Sequence, residues 1–507
     1  MEVDSPKAAL ALSIVAALVL WATRKALHRL SGKVVHPSRT RHLLEKTPST
    51  QRYVGLGLGE AEYARLDYSQ HGGNKIYLIA TVTGPRIKRE QLEKAAHCIQ
   101  RRHPLLRCRL TYVHGSLVLE ELADLKMNIN IRARNSASSC RETFHNEASR
   151  RCVDTGDSAG SPHTLWLFQP EQPDASGIET ADIALDLSHF AVDGSGLSPL
   201  MHEVLYYALD PTADLPEYGS WPITQEVGLN DALLLHLSRP KRIVLQIIEF
   251  IQVIYRGLAW EYVSIPKFGN YGTKDYGRLN STSCLCIKLS EKETNALVDR
   301  CKKQSVSVTA AVAAAVLESI SELTQDYVNR PFAPTLCLVA DSRKLASPPI
   351  PATDLAPHVY AFPPFRTNPM TWKEQTDNTR TWQLARNIKD FIRNYLADPI
   401  KVMLYADLIA ILLSFQPTSG ATPMLNVSSW SASSPVLKKY AETTVEDVEL
   451  LQNMAYNTWI NVSMYTFIGK LSVSIIAPTP RFNQDVLQQV YDKANSKLHR
   501  MIDDTKY

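Results

Sequence analysis

The stretch Ile183-Ala184-Leu185-Asp186-Leu187-Ser188-His189-Phe190-Ala191-Val192-Asp193-Gly194 is the place from which the rest of this chain can be read. Apolar side chains recur at every second position from Ile183 to Leu187, as in a half-buried strand. Gly194-Ser195-Gly196 then turns the chain into Leu197-Ser198-Pro199-Leu200-Met201-His202-Glu203-Val204-Leu205, which reads as a helix. A histidine therefore stands at a strand end, with an aspartate four residues on inside a tight turn. Imidazole titrates near neutrality, so His189 placed there can take a proton from a bound hydroxyl or amine. Gly194 suits the turn because glycine accepts positive φ or close backbone approach.

The chain has 14 His, 21 Gly and 51 acidic residues. With about half of the acids as Asp, H-x-x-x-D-G should arise by accident in roughly 3% of shuffled sequences, so its surroundings carry the weight. Near the front stands Leu92-Glu93-Lys94-Ala95-Ala96-His97-Cys98-Ile99-Gln100-Arg101-Arg102-His103-Pro104-Leu105-Leu106-Arg107. In the second half come the small-residue run Val306-Ser307-Val308-Thr309-Ala310-Ala311-Val312-Ala313-Ala314-Ala315-Val316-Leu317 and the segment Leu338-Val339-Ala340-Asp341-Ser342-Arg343. Trp459-Ile460-Asn461-Val462 and Gly469-Lys470-Leu471-Ser472-Val473-Ser474-Ile475 follow near the end. In type and order, over roughly residues 50 to 500, these resemble the CoA-dependent acyltransferase superfamily of BAHD enzymes, alcohol acetyltransferases and peptide-synthetase condensation domains. The matching features there are a first helix with "HP-x-L-R", the H-x-x-x-D-G turn, a small-residue helix, a "D-x-R" strand and a closing hairpin.

Two features depart from that pattern. The "D-F-G-W-G" hallmark is absent, although Asn426-Val427-Ser428-Ser429-Trp430 resembles the strand before it. Residue 188 is Ser, so the doubled histidine of condensation domains and wax ester synthases is missing. Both favour an alcohol-acetyltransferase-like or divergent BAHD-like member.

The resemblance implies an α/β (α+β) fold of two chloramphenicol-acetyltransferase-like subdomains. Mixed sheets flanked by helices would meet at an interface holding a channel. It implies acyl-CoA as co-substrate, with no permanently bound cofactor, and a small-molecule alcohol or amine as acceptor. His189 would be the general base and need no acyl-enzyme. Asp193 would turn away from it to pair with Arg343 of the other half, with Gly194 completing the structural turn. Ser428 or Ser429 would donate to the oxyanion. Arg107 is a second candidate partner for the Asp193 turn, and His97 and His103 read as structural residues of a helix end. An N-acyltransferase using the same base, and a non-catalytic membrane-tethered binding protein keeping the fold, are the alternatives.

The remaining residues bound these expectations. The formal charge of +4 is concentrated: Arg24, Lys25, Arg29, Lys33, Arg39 and Arg41 carry it, and the body is nearly neutral. No electrostatic footprint for nucleic acid is left. Eight scattered cysteines without a C-x-x-C pair read as reduced buried thiols. No metal-ligand cluster, Walker sequence or G-x-S-x-G occurs, and Gly55-Leu56-Gly57-Leu58-Gly59 lacks phosphate-loop spacing. Residues 8–22 (AALALSIVAALVLWA) form an uncharged run reaching about 22 Å as a helix. Acids precede it and bases follow, which predicts an N-terminal membrane helix with a cytosolic body. The endoplasmic reticulum is the expected membrane, and the protein is expected to be a monomer. Sequons at Asn426 and Asn461 fall on the proposed strands, where glycans would be awkward. The resulting division is an anchor (1–30), a linker (31–52), a first subdomain (53–225), a bridging segment (226–280) and a second subdomain (281–507). The apolar runs 242–255 and 401–415 read as core or bridging helices, with a membrane-dipping role as the alternative.

Overall fold

A computed structural model of the chain describes residues 52–55, 75–113, 116–122, 124–146, 161–173, 175–217, 219, 281–326, 328–341, 343, 349–351, 354–355, 358–362, 365–397, 425–429, 435–453, 460–479 and 482–503. The expected anchor, the bridging segment and the run 401–415 lie outside these residues, as does the linker apart from Arg52.

In chain order the elements are β1 (Arg52–Gly55), β2 (Lys75–Pro85), α1 (Arg89–Arg102), β3 (Cys108–Val113), β4 (Ser116–Glu121), β5 (Asn128–Ala133), α2 (Ser139–Asn146), β6 (Thr164–Gln169), β7 (Ile178–Ser188) and α3 (Gly194–Leu209). After the bridging segment come β8 (Ser281–Lys288), α4 (Glu291–Lys303), α5 (Val308–Gln325), β9 (Thr335–Asp341), β10 (Val359–Ala361), β11 (Phe365–Arg366) and α6 (Thr379–Leu396). The last are β12 (Leu425–Ser429), β13 (Lys439–Tyr440), β14 (Thr443–Gln452), β15 (Ile460–Phe467), β16 (Lys470–Thr479) and α7 (Gln484–Asp503).

Two mixed sheets dominate. The first runs β13-β14-β2-β7-β6-β5, antiparallel except for the parallel β5–β6 pair. The second runs β10-β9-β12-β15-β16-β8, with β12 parallel to both its neighbours and β11 paired to β9. A small sheet, β1-β4-β3, stands beside them.

Each large sheet buries one face under helices. On β7 the alternate residues Ile183, Leu185 and Leu187 pack with Leu92 and Ile99 of α1 and Leu197, Leu200 and Val204 of α3. On the second sheet Leu338, Val427, Val462 and Ile475 pack with α5, α6 and α7 through Val312, Ile388 and Val490. The Ser307 hydroxyl caps α5 by accepting from the Ala310 N–H at 3.1 Å. The small residues Ala310–Ala315 (310–315) then lie fully buried against the sheet. The closing hairpin is as expected, and its two-residue turn places both Ile468 (φ 46°) and Gly469 (φ 74°) in the left-handed region.

The opposite faces of the two sheets meet along β14. The Ser474 hydroxyl of β16 donates to the Leu450 carbonyl at 3.0 Å, and the Asn461 amide of β15 donates to Gln452 Oε1 at 2.9 Å. Glu449 of β14 pairs with Arg141 of α2 and Lys288 of β8. Strands β13 and β14 come from the last quarter of the chain yet complete the sheet built by its first half. The halves therefore exchange chain as well as touch. With its amide engaged and its side chain buried, Asn461 offers no room for a glycan in the folded protein.

Among the described residues no single helix is long and apolar enough to cross a membrane. Only α4 and α5 taken together pass that test; they meet at 96°, and α5 is buried in the second core.

Candidate active site

β7 is an interior strand of the first sheet, paired to β2 on one side and β6 on the other. Its last residue, Ser188, delivers the chain to a tight turn closed by the Ala191 N–H on the Ser188 carbonyl at 3.0 Å. His189 stands in that turn with 8% of its surface exposed. Burial lowers its pKa below the usual 6.5, opposed by its own main chain and by the Asp193 charge. At neutral pH the imidazole is therefore uncharged and competent to accept a proton.

Asp193 caps α3 and is held at four points. Its Oδ1 accepts from the Gly196 N–H at 2.9 Å and from Arg343 Nη2 at 3.1 Å. Its Oδ2 accepts from Arg343 Nη1 at 2.8 Å and from the His358 N–H at 2.9 Å. Side chains of both partners are at most 3% exposed, so this fork is desolvated. Arg343 follows β9 and is itself aimed by Asp341 Oδ1 at 3.1 Å and the Asp354 carbonyl at 2.7 Å. The carboxylate is thus committed to the other half of the molecule rather than to His189.

Of the two backbone reasons for a glycine at position 194, positive φ is not the one used. Gly194 opens α3 and is not among the positive-φ glycines. Gly196 is the crowded position: a Cβ there would meet Leu355 Cδ2 at 3.2 Å and Val192 Cγ2 at 3.3 Å. Arg107 does not reach Asp193 either; it pairs with Glu121 at 2.8 Å and donates to the Arg101 carbonyl at 3.0 Å. His103 is buried against Glu203 at 2.8 Å, tying α1 to α3.

The two serines on β12 face opposite ways. Val427 points into the helix-side core, so by strand alternation Ser429 shares that side, and its hydroxyl accepts from Thr309 of α5 at 3.1 Å. Ser428 lies on the face turned towards the first sheet, level with Val339 of β9 and Ser463 of β15.

Lone histidines gave no pattern in the sequence, and two of them matter locally. The main chain of His358 holds Asp193, and His163 accepts the Ser188 N–H on Nδ1 at 3.3 Å. Beside His163, Lys75 Nζ pairs with Asp186 Oδ1 at 3.0 Å in a buried ion pair. The described cysteines are all free. Burial pushes Cys286 up to about 11 and Cys301 and Cys337 up to about 12, so these thiols stay protonated and unreactive. Among the described residues no three His, Cys, Asp or Glu side chains converge as a metal site. A surface cleft of about 510 Å³, lined by Glu322, Trp372 and Lys493 among others, shares no residue with the His189 turn.

Comparison with known proteins gives three further findings. The family described as phthiocerol/phthiodiolone dimycocerosyl transferase C-terminus matches residues 281–476. No curated protein matches significantly in sequence. Several solved structures are similar over nearly the whole chain. Trichothecene 15-O-acetyltransferase TRI3 from Fusarium sporotrichioides superposes with a TM-score of 0.68 at 13% identity, covering 90% of this chain and 97% of that one. For polyketide synthase associated protein 5 from Mycobacterium tuberculosis the values are 0.61, 17%, 88% and 97%. For the first condensation domain of the CDA synthetase they are 0.65, 10%, 90% and 97%. Identities this low speak for architecture alone, and the architecture agrees with the matched family: the chain has the fold of the CoA-dependent acyltransferase and condensation-domain superfamily.

Proposed function

We propose that this chain is an acyl-CoA-dependent O-acyltransferase with His189 as general base. One observation carries the reading: Asp193 is spent on Arg343 and two backbone amides, which leaves a neutral His189 at the strand end. The acceptor hydroxyl gives its proton to the imidazole as its oxygen attacks the thioester carbonyl. The tetrahedral oxyanion draws a hydrogen bond from Ser428. Collapse expels the CoA thiolate, which recovers the proton from the imidazolium. A thioester is already activated, so positioning of two substrates with proton transfer worth ~10²–10⁴-fold is sufficient, and no acyl-enzyme is needed. A fold shared with a protein named as a 15-O-acetyltransferase supports the hydroxyl acceptor.

We place residues 8–22 in the membrane of the endoplasmic reticulum, with the body a cytosolic monomer, which favours a hydrophobic alcohol. The test of the reaction is free-thiol release from acetyl- to palmitoyl-CoA against panels of alcohols and amines. Release that depends on an alcohol supports the proposal, whereas dependence on amines alone assigns N-acylation. No release with any pair removes the enzyme reading and leaves the binding protein. Fractionation of the full chain and of a chain lacking residues 1–30 tests the anchor: only the full chain should sediment with membranes.

A further inference from the structure

We propose that His163 is a positioning residue that braces both neighbours of His189, the main chain of Ser188 and the ring of Phe190, and so aims the base; this rests on reading His189 as the base. Its Nδ1 accepts the N–H of Ser188, the residue before His189, at 3.3 Å. Its ring lies against Phe190, the residue after, with centroids 5.5 Å apart and planes inclined by 51°. One imidazole therefore touches both neighbours of the catalytic position.

The brace is itself rigid. His163 is fully buried, its carbonyl accepts from the Asn128 N–H at 3.2 Å, and its own N–H donates to Ser161 Oγ at 3.2 Å. An amide donor at Nδ1 requires a lone pair there, so the ring proton sits on Nε2. Burial first, and then the Lys75 ammonium, bring its pKa down to about 3, so the ring remains an acceptor wherever the enzyme works. Lys75 is anchored in turn by Asp186 at 3.0 Å and stands opposite Ser188 in the β2–β7 register. A buried neutral acceptor at the end of a central strand holds the turn that follows without adding charge beside the base.

Two polar substitutions separate position from mere polarity. Asparagine places an amide oxygen near the Nδ1 position, whereas glutamine carries its amide out to the Nε2 position. Hydrogen exchange of the peptide spanning residues 185–192, measured on the full chain, reads the brace without reference to activity. H163Q should raise that exchange about ten-fold or more while peptides of α5 stay as in the wild type. In the same variant kcat should fall about ten-fold or more, with the KM for acyl-CoA within about two-fold, and H163N should restore both readings. Wild-type exchange in H163Q, or H163N behaving like H163Q, overturns the proposal. A wild-type protein inactive on every substrate pair would sink the transferase reading, and the exchange of H163Q against H163N would still decide whether the brace exists.

Discussion

At the scale of single residues, the proposed chemistry depends on two opposite uses of burial. Burial keeps His189 uncharged, and it strengthens the Asp193–Arg343 fork that holds its turn. The pH dependence follows from the first. A base whose folded pKa lies below 6.5 remains deprotonated as the medium turns mildly acid, so the acidic limb of kcat/KM should fall below pH 6.5. A limb at or above that pH would show a base that is not desolvated. The same depression means that the unfolded chain takes up a proton first, so this group adds stability above pH 6.5 and loses it as pH falls. The fork makes its own prediction. Arg343→Ala strands a buried carboxylate between two backbone amides and should cost about 3–5 kcal/mol, measured as a lowered urea midpoint. A loss under about 1 kcal/mol would place the pair in solvent rather than in the interior.

At the scale of elements, strand parity divides residues that the sequence leaves equivalent. Ser428 and Ser429 are adjacent and chemically identical, yet one faces the first sheet and the other bonds to Thr309 of α5. If Ser428 serves the oxyanion, Ser428→Ala should lower kcat by ~10²–10³-fold. Ser429→Ala should stay within about two-fold, because it removes one hydroxyl contact on the helix side. Equal effects, or the reverse order, would remove the oxyanion assignment. Strand β7, the small-residue helix and the closing hairpin were legible because each follows a local period of apolar residues. The roles of His163, His358 and Gly196 were not. Each depends on a partner distant in the chain, and no local pattern distinguishes such a histidine from any other. Gly194 stood out because it belongs to the motif, whereas the crowding at Gly196, where Leu355 closes on α3, left no local trace.

At the scale of the whole molecule, two lobes are stitched by an exchanged pair of strands. β14 pairs with β2 across more than three hundred residues of sequence, with a bulge between Val445 and Asp447. Its alternation suits either sheet, and the bulge interrupts the period, so its destination could not be read from the chain. The exchange has a physical consequence. Residues 53–225 expressed alone would leave β2 as a bare edge and strip Leu451 from the cluster that holds Tyr77 and Ile79. That fragment should aggregate or lack a cooperative melting transition, whereas the full chain melts cooperatively. A soluble, cooperatively folded fragment would show that β14 is dispensable to the first sheet. The two sheets face each other across this seam, and the Asp193–Arg343 pair links the lobes next to the His189 turn. The most direct measurement is therefore the turnover of His189→Ala beside the wild type on the same CoA thioester and acceptor. A folded variant that releases thiol ~10²–10⁴-fold more slowly is the predicted result, and equal rates would contradict the role given to His189.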